Sequence, residues 1–561
     1  MMKTIKASFV ECNARERAVG ILDNGTFREL LGPLDELESP HLEPQGIVPQ
    51  SDDGVVIAKG TINNHPALVI SIEGKFQGGG IGEVSGAKIA GALELALLDC
   101  EGGKKVIPVF VFDTGGVRLQ EANYGLLSIA EIGAAIVALR RYVPVIGIIP
   151  GKIGAFGGMS ITAGLCSSII MTSEGRLGLN GPEVIEQEAG IREFDSKDKP
   201  LIWRTIGGKQ RIASGFADVF IDDDKESLKE AISSIINNHI LKVPRTEQIS
   251  RYETLLQLVD PSQDLSPENV RELWGKTEIT VINKLSSIPE KNSPSGRGST
   301  WFDLLRNDAP EIGDIPSVRV ADVGIGERKV RFIAVVPDSQ NRFPRARNGE
   351  IGLLEGWSIA KHIREVIKAG QNSEKRAIVA IIDVPSQAYG YREELLGIHQ
   401  ACAAAVDAYA SARLSGHPVI SFIPGKAISG AFLAHGMQAN RLIALRDEDV
   451  NIHVMSKQSA ARVTNRSLDE LEAATKKVPA MAYDINSFET LGALFSVVEG
   501  VQADAPDIQD RNKIYQEIEH ALEDILHDPS KDLSRRLKSS FAQTGRAASI
   551  LVREKLNEQW N

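Results

Sequence analysis

Cysteine is scarce in this chain. There are four in 561 residues, Cys12, Cys100, Cys166 and Cys402, and they lie far apart. Without a Cys-x-x-Cys pair a zinc ribbon is excluded, and a reduced cytoplasmic setting is the expectation. Cys166 sits in an apolar stretch and reads as packing rather than as a nucleophile. None of the ten histidines falls into a metal-ligand spacing such as His-x-x-x-His, so no metal is expected. Basic excess is also missing: 63 Lys and Arg stand against 74 Asp and Glu, a formal charge of −11. That balance offers no general attraction to nucleic acid or to an anionic membrane. Long apolar runs are lacking too. Glu11 interrupts the amino-terminal stretch before a signal-peptide core develops, and Lys152 breaks the best membrane-span candidate.

What the chain does have is length and an internal repeat. A chain of 561 residues is too long for one core, so at least two domains are expected. The repeat is a β-branched run that stops at Pro-Gly-Lys and opens through small residues into an apolar segment. It occurs at Pro144–Met159 and again at Pro418–Phe432. Small residues let a backbone approach a ligand, and the first N–H groups of a helix have no partner within it. Such an element can hold an oxygen that is gaining negative charge.

Strands are expected at Val55–Ala58, Ala67–Ile72 and Val106–Phe112. A glycine cluster, Gln77–Gly82, leads into a helix from Glu83 to about Leu98, and a second helix runs to Tyr142. Residues 33–54 read as an exposed connection, and about 222–286 carry helical patterning. Residues 286–299 have linker composition. The predicted division is therefore a domain over 1–285, the linker 286–299 and a domain over 300–561. The order of elements recurs past the linker, with Gly82 matched to Gly349, Asp113 to Asp383 and Pro144 to Pro418, offsets of 267, 270 and 274. This is duplication of a whole α/β domain of repeated ββα units. The helical tail beyond Asp510 is expected to pack on the second domain.

Several stretches together resemble the carboxyltransferase branch of the crotonase superfamily: Ala14–Arg17 with Gly25–Phe27, Gly78–Lys88, Thr114–Arg118, Gly157-Gly158, Asp383–Pro385 and Lys426–Phe432. The resemblance covers about residues 10–220 and 300–500. Within that branch the chain looks most like the malonate decarboxylases that work without biotin, with β and γ subunits joined. Asp113–Asn123 is similar to the β type and Pro385–Glu394 to the γ type. No Met-Lys-Met biotin-attachment tripeptide occurs. Ser429 stands where related transferases carry glycine.

The resemblance implies two crotonase-like domains and decarboxylation of a malonyl thioester on an acyl carrier protein, yielding acetyl carrier protein and CO₂. It implies no cofactor on this chain itself, a CoA-derived prosthetic group on the carrier, a second partner that loads malonate, and a hetero-oligomeric complex. The enolate left by departing CO₂ puts charge on the thioester oxygen, where fixed N–H donors lower the barrier. Gly115, Gly116, Gly157 and Gly158 are assigned to that oxygen, and Gly430 and Ala431 to the departing carboxylate. Gly78, Gly79, Lys88, Arg118, Lys152, Lys426 and Ser429 are candidates for holding the substrate or the carrier arm. Tyr389, Tyr391, Ser429 and His435 are candidate proton donors. A biotin-dependent carboxyltransferase and a non-catalytic docking scaffold are the alternatives; converging glycine pairs argue against the scaffold.

Overall fold

A computed structural model describes residues 7–238, 243–278, 295–463, 466–476, 478–528 and 530–561. They form two units. The first takes the described residues up to Glu247 together with Ser266–Gly275 and Ala547–Asn561; the second takes Gln248–Leu265 and the described residues of Lys276–Arg546.

The first unit is built on a seven-stranded sheet whose spatial order follows the chain. Its strands are β1 (Arg28–Leu30), β2 (Val55–Ile62), β3 (His65–Ile72), β4 (Ile107–Val111), β5 (Ile146–Ile149), β6 (Ser168–Thr172) and β7 (Val219–Ile221). β1, β2 and β3 pair antiparallel; β3 to β7 pair parallel. Asn63 and Asn64 join β2 to β3 with φ of 49° and 64°, the left-handed pair that a two-residue hairpin requires. β4 is buried at all five residues, as a parallel strand covered on both faces must be, hence its unbroken apolar sequence.

Four helices place the loops that matter: α1 (Ala14–Ile21), α2 (Glu83–Glu101), α3 (Ala122–Leu139) and α4 (Gly158–Leu165). Asn13 caps α1 by accepting from the Glu16 amide at 2.9 Å, and the Asn13 amide donates in turn to the Glu16 carboxylate. α3 is apolar all round and buried along its whole length, the mark of a core helix. Among the described residues, Leu119–Leu139 is the helix long and apolar enough to cross a membrane. It carries Glu121 and Glu131, so it is not an unbroken apolar run, and it is wholly buried in the unit.

In the second unit the order is β8 (Val318–Ile325), β9 (Arg328–Val335), β10 (Ala377–Ile381), β11 (Val419–Ile423), β13 (Arg441–Leu445) and β15 (Ser496–Val498); β12 (Lys426–Ile428) pairs with β14 (Asn451–His453) separately. β8 and β9 form an antiparallel hairpin and the rest of the sheet is parallel. β8 escapes the apolar pattern because Arg319 lies within it, buried by bidentate pairing with Asp303 and Glu311. The helix Leu353–Ala369 packs on Ile398–Leu414.

The ββα repeat is present in both units, with one change of register. Gly82 caps α2 with φ −109° and ψ −153°, and its counterpart is Gly352 before Leu353–Ala369, φ −110° and ψ −157°. The matching glycine is therefore Gly352, 270 positions on, not Gly349, which instead occupies a left-handed turn, φ 92°. Residues 286–294 of the expected linker lie outside the described residues; Arg297 already begins a helix, Arg297–Arg306. The tail divides. Ile508–His527 belongs to the second unit, whereas Ala547–Gln559 packs along α2 in the first.

Candidate active site

The strand-to-loop junction after β4 is fixed by one carboxylate. Asp113 accepts from Arg17 Nη1 at 2.9 Å through Oδ2 and from the Ile153 amide at 2.7 Å through Oδ1, which ties the loop after β4 to the Pro-Gly-Lys turn after β5. Arg17 and Asp113 are both buried, so each needs the other to offset desolvation. In the second unit Asp383 does the same work, accepting from the Gly298 amide at 2.9 Å and the Lys426 amide at 3.1 Å.

Beyond Asp113 the loops run side by side as short parallel bridges. The Thr114 amide donates to Gly154 O at 2.8 Å and the Phe156 amide to Thr114 O at 3.1 Å. The Ile81 amide donates to Gly116 O and the Arg118 amide to Ile81 O, each at 2.9 Å. The two glycine pairs do converge. A Cβ on Gly116 would lie 3.0 Å from Gly157 Cα, and one on Gly157 would lie 3.2 Å from Gly116 Cα. Both have positive φ, 107° and 55°, so the close approach and the backbone each demand glycine.

Which amides remain open differs from expectation. The Gly115 amide donates to Gly78 O at 2.8 Å, that of Gly157 to Leu179 O at 2.9 Å and that of Gly116 to Thr114 Oγ1 at 3.0 Å. These three are spent on holding the loops. Val117 and Gly158 are, among the described residues of these two loops, amides with no acceptor inside the protein. Val117 bridges Ile81 through its neighbours, which turns its own N–H to the opposite side, toward Gly157: the Val117 nitrogen is 3.9 Å from where a Gly157 Cβ would stand. Gly158 is the first residue of α4, where an unbonded N–H also carries the positive end of the helix dipole. Val117 is half-buried and Gly158 is buried beside half-buried Gly157, with Gly115 exposed at the edge of the loops.

The second unit repeats the frame with one difference. Ile351 bridges Gln387 as Ile81 bridges Val117, and Val384 bridges Ala427 as Thr114 bridges Ala155. Ser429, φ 64°, therefore takes the place of Gly157, and Gly430 that of Gly158. Here the Gly430 amide is not open. It donates to Gln387 Oε1 at 3.0 Å. Ala431 has no intramolecular acceptor for its N–H among the described residues.

The remaining candidates separate by burial. Lys88 cannot contact a carrier arm: it is fully buried, its Nζ donating to Leu31 O at 2.9 Å, Asp52 O at 3.0 Å and Val55 O at 2.6 Å. Burial pulls its pKa down to about 8, which leaves it protonated at neutral pH with three donors for three carbonyls. Arg118 is likewise internal, bridging Asp53 at 2.7 Å and Glu121 at 2.6 Å. Gly78 and Gly79 form the turn whose carbonyl receives Gly115; a Cβ on Gly79 would meet Asp113 O at 2.1 Å. His435 is removed as a proton donor. It is buried, hydrogen-bonded to Tyr409 Oη at 2.8 Å and to Ile381 O at 3.2 Å, and burial lowers its pKa to about 4. Tyr389 and Tyr391 are half-buried beside the turn that starts Tyr391–Leu395. Lys152 lies 3.4 Å from Glu11 Oε2, and Lys426 is exposed. Cys166 is buried and its thiol is pushed up to about 12, consistent with packing.

A family model described as malonate decarboxylase gamma subunit matches residues 346–560. The malonyl-S-ACP:biotin-protein carboxyltransferase MADC of Malonomonas rubra is 42% identical over 280 residues, which are 48% of this chain and 88% of that protein. The chain belongs to the malonate decarboxylase carboxyltransferase family. A second member of this family, the malonyl-S-ACP:biotin-protein carboxyltransferase MADD of the same organism, is 36% identical over 196 residues, 34% of this chain and 66% of that protein. A solved structure of the family, a Pseudomonas malonate decarboxylase hetero-tetramer in complex with malonate, is 52% identical with a TM-score of 0.47, covering 48% of this chain and 98% of the matched chain.

Proposed function

We propose that this chain is the decarboxylating component of a malonate decarboxylase and acts on a malonyl thioester carried by an acyl carrier protein. The observation that carries the reading is the pair of unpaired amides, Val117 and Gly158, presented at converging loops of the first unit. With the thioester oxygen between them, the bond from the α-carbon to the carboxylate breaks, CO₂ leaves, and the electron pair settles on that oxygen as an enolate. Each donor strengthens as the charge develops, so its gain is larger in the transition state than in the ground state. A proton supplied by water then adds to the α-carbon as the enolate collapses, and acetyl carrier protein is the product.

Gly115, Gly116 and Gly157 serve this by locking the loops rather than by donating. In the second unit the Ala431 amide is the donor proposed for a carboxylate, and the Gly430 amide is held by Gln387 Oε1. Lys426, exposed at the Pro-Gly-Lys turn, suits a phosphate of a CoA-derived arm on the carrier. The carrier and a transferase that loads malonate are the expected partners. Four cysteines without disulfide partners suit a reducing, cytoplasmic setting.

The named relatives MADC and MADD favour a second reading, in which the carboxyl group passes to a biotin protein instead of leaving as CO₂. Incubating the purified chain with malonyl carrier protein decides between them. Release of CO₂ and acetyl carrier protein, unaffected by avidin, is expected. Turnover that appears only when a biotinylated acceptor is added would establish the transfer reading instead.

A further inference from the structure

The segment Ala547–Asn561 comes after the whole second unit in sequence, and the family model of the gamma subunit runs through it to residue 560. It nonetheless belongs to the first unit. Its attachment is specific. Arg553 holds Glu94 at 2.8 Å and Glu131 at 2.8 Å, Trp560 Nε1 donates to Asp99 at 3.0 Å, and Arg28 Nη2 donates to Trp560 O at 2.9 Å.

One contact leads further than packing. Ser549 donates to Glu83 Oε1 twice, from its amide at 2.9 Å and from its hydroxyl at 3.0 Å. Glu83 is the first residue of α2, and its amide donates to Glu121 Oε1 at 3.1 Å. Glu121 Oε2 accepts from Arg118 Nη1 at 2.6 Å. The Arg118 amide bonds Ile81 O, and the Ile81 amide bonds Gly116 O. Those two bonds flank Val117. Ser549, Glu83, Glu121 and Arg118 are all buried, so water cannot substitute for a lost link, and an unmet partner is left in a poorly solvating interior.

We propose that Ala547–Asn561 is a positioning element for the first unit's donor site, with Ser549 acting through Glu83 and Glu121 to fix the strand that presents the Val117 amide. The inference rests on the assignment of the reaction to Val117 and Gly158.

The test uses the full chain. Ser549→Pro removes both donors while leaving a residue suited to a helix's first turn; Ser549→Ala removes only the hydroxyl; Ser549→Thr keeps both. With malonyl carrier protein, kcat is expected to fall about tenfold in Ser549→Pro and about threefold in Ser549→Ala, with KM little changed, because a displaced donor weakens the transition state most. Ser549→Thr should restore kcat. Amide exchange at Ile81 and Arg118 should be faster in Ser549→Pro than in the parent. A parent-like kcat in folded Ser549→Pro, with unchanged exchange at those two amides, would overturn the proposal. If Ser549→Pro does not fold, equal kcat for Ser549→Ala and Ser549→Thr overturns it. If the parent itself does not decarboxylate, the functional reading fails, and the exchange comparison alone decides whether this segment sets the strand.

Discussion

The Gly158 amide offers the cleanest single perturbation of the site. It is the first residue of α4, the position where proline is favoured and where a helix loses no internal bond by lacking an N–H. Gly157 before it has φ 55° and ψ −146°, outside the helical region that a following proline excludes. Gly158→Pro therefore deletes one donor with little disturbance to the fold. If that donor stabilises the enolate, its loss removes about 2.7–4 kcal/mol of transition-state binding, a fall in kcat of about 100- to 1000-fold. KM should change far less, since the ground-state thioester oxygen is a weak acceptor. The assay is CO₂ release from saturating malonyl carrier protein, with Gly158→Ala, which keeps the N–H, as the matched control and circular dichroism to confirm folding. A Gly158→Pro protein that is folded and turns over within about threefold of its parent, well short of the loss of one oxyanion donor, would refute the assignment.

Other outcomes follow from individual contacts. Lys88→Met should leave three carbonyls unmatched, two of them buried, and lower unfolding stability by at least about 2 kcal/mol in urea titration, without a selective rise in KM for the carrier substrate. Gln387→Ala frees the Gly430 amide and is expected to lower KM by about threefold, the order of one modest hydrogen bond; an unchanged KM would remove the Gly430 amide from substrate binding. Because the His435 pKa is near 4 in the folded protein and near 6.5 when unfolded, the unfolded chain takes up the proton first. Stability should thus decline as pH drops from about 6.5 through about 4, and unfolding experiments at pH 7 and pH 5 should differ by at most about 2 kcal/mol from this group.

The repeated architecture was legible because buried parallel strands such as β4 and β10 are nearly all apolar, and because the Pro-Gly-Lys turns mark strand ends in both halves. The site was legible only to the level of loops. Glycines at 116 and 157 announce close approach, but they are glycine for the sake of that approach, and their amides are consumed by it. The donor at Val117 carries no signal in its residue type; it follows from bridge register, which fixes Gly116 and Arg118 inward and turns Val117 outward. Lys88 and Arg118 read as candidates for holding the carrier arm because sequence does not reveal the carbonyls and carboxylates that enclose them. Gln387 was passed over for the same reason: a side chain that caps an amide 43 positions away leaves no periodicity.

The docking of Arg553 on Glu131, 422 positions earlier, has a consequence for biosynthesis. At ribosomal speeds of roughly 5–20 residues per second, Glu131, in a helix buried along its whole length, waits about 20–85 seconds for Arg553. During that interval the nascent first half holds a long apolar segment that lacks its contact with Arg553. Chaperones should meet this chain early, and premature termination after the second unit should leave a product that aggregates rather than a shortened enzyme.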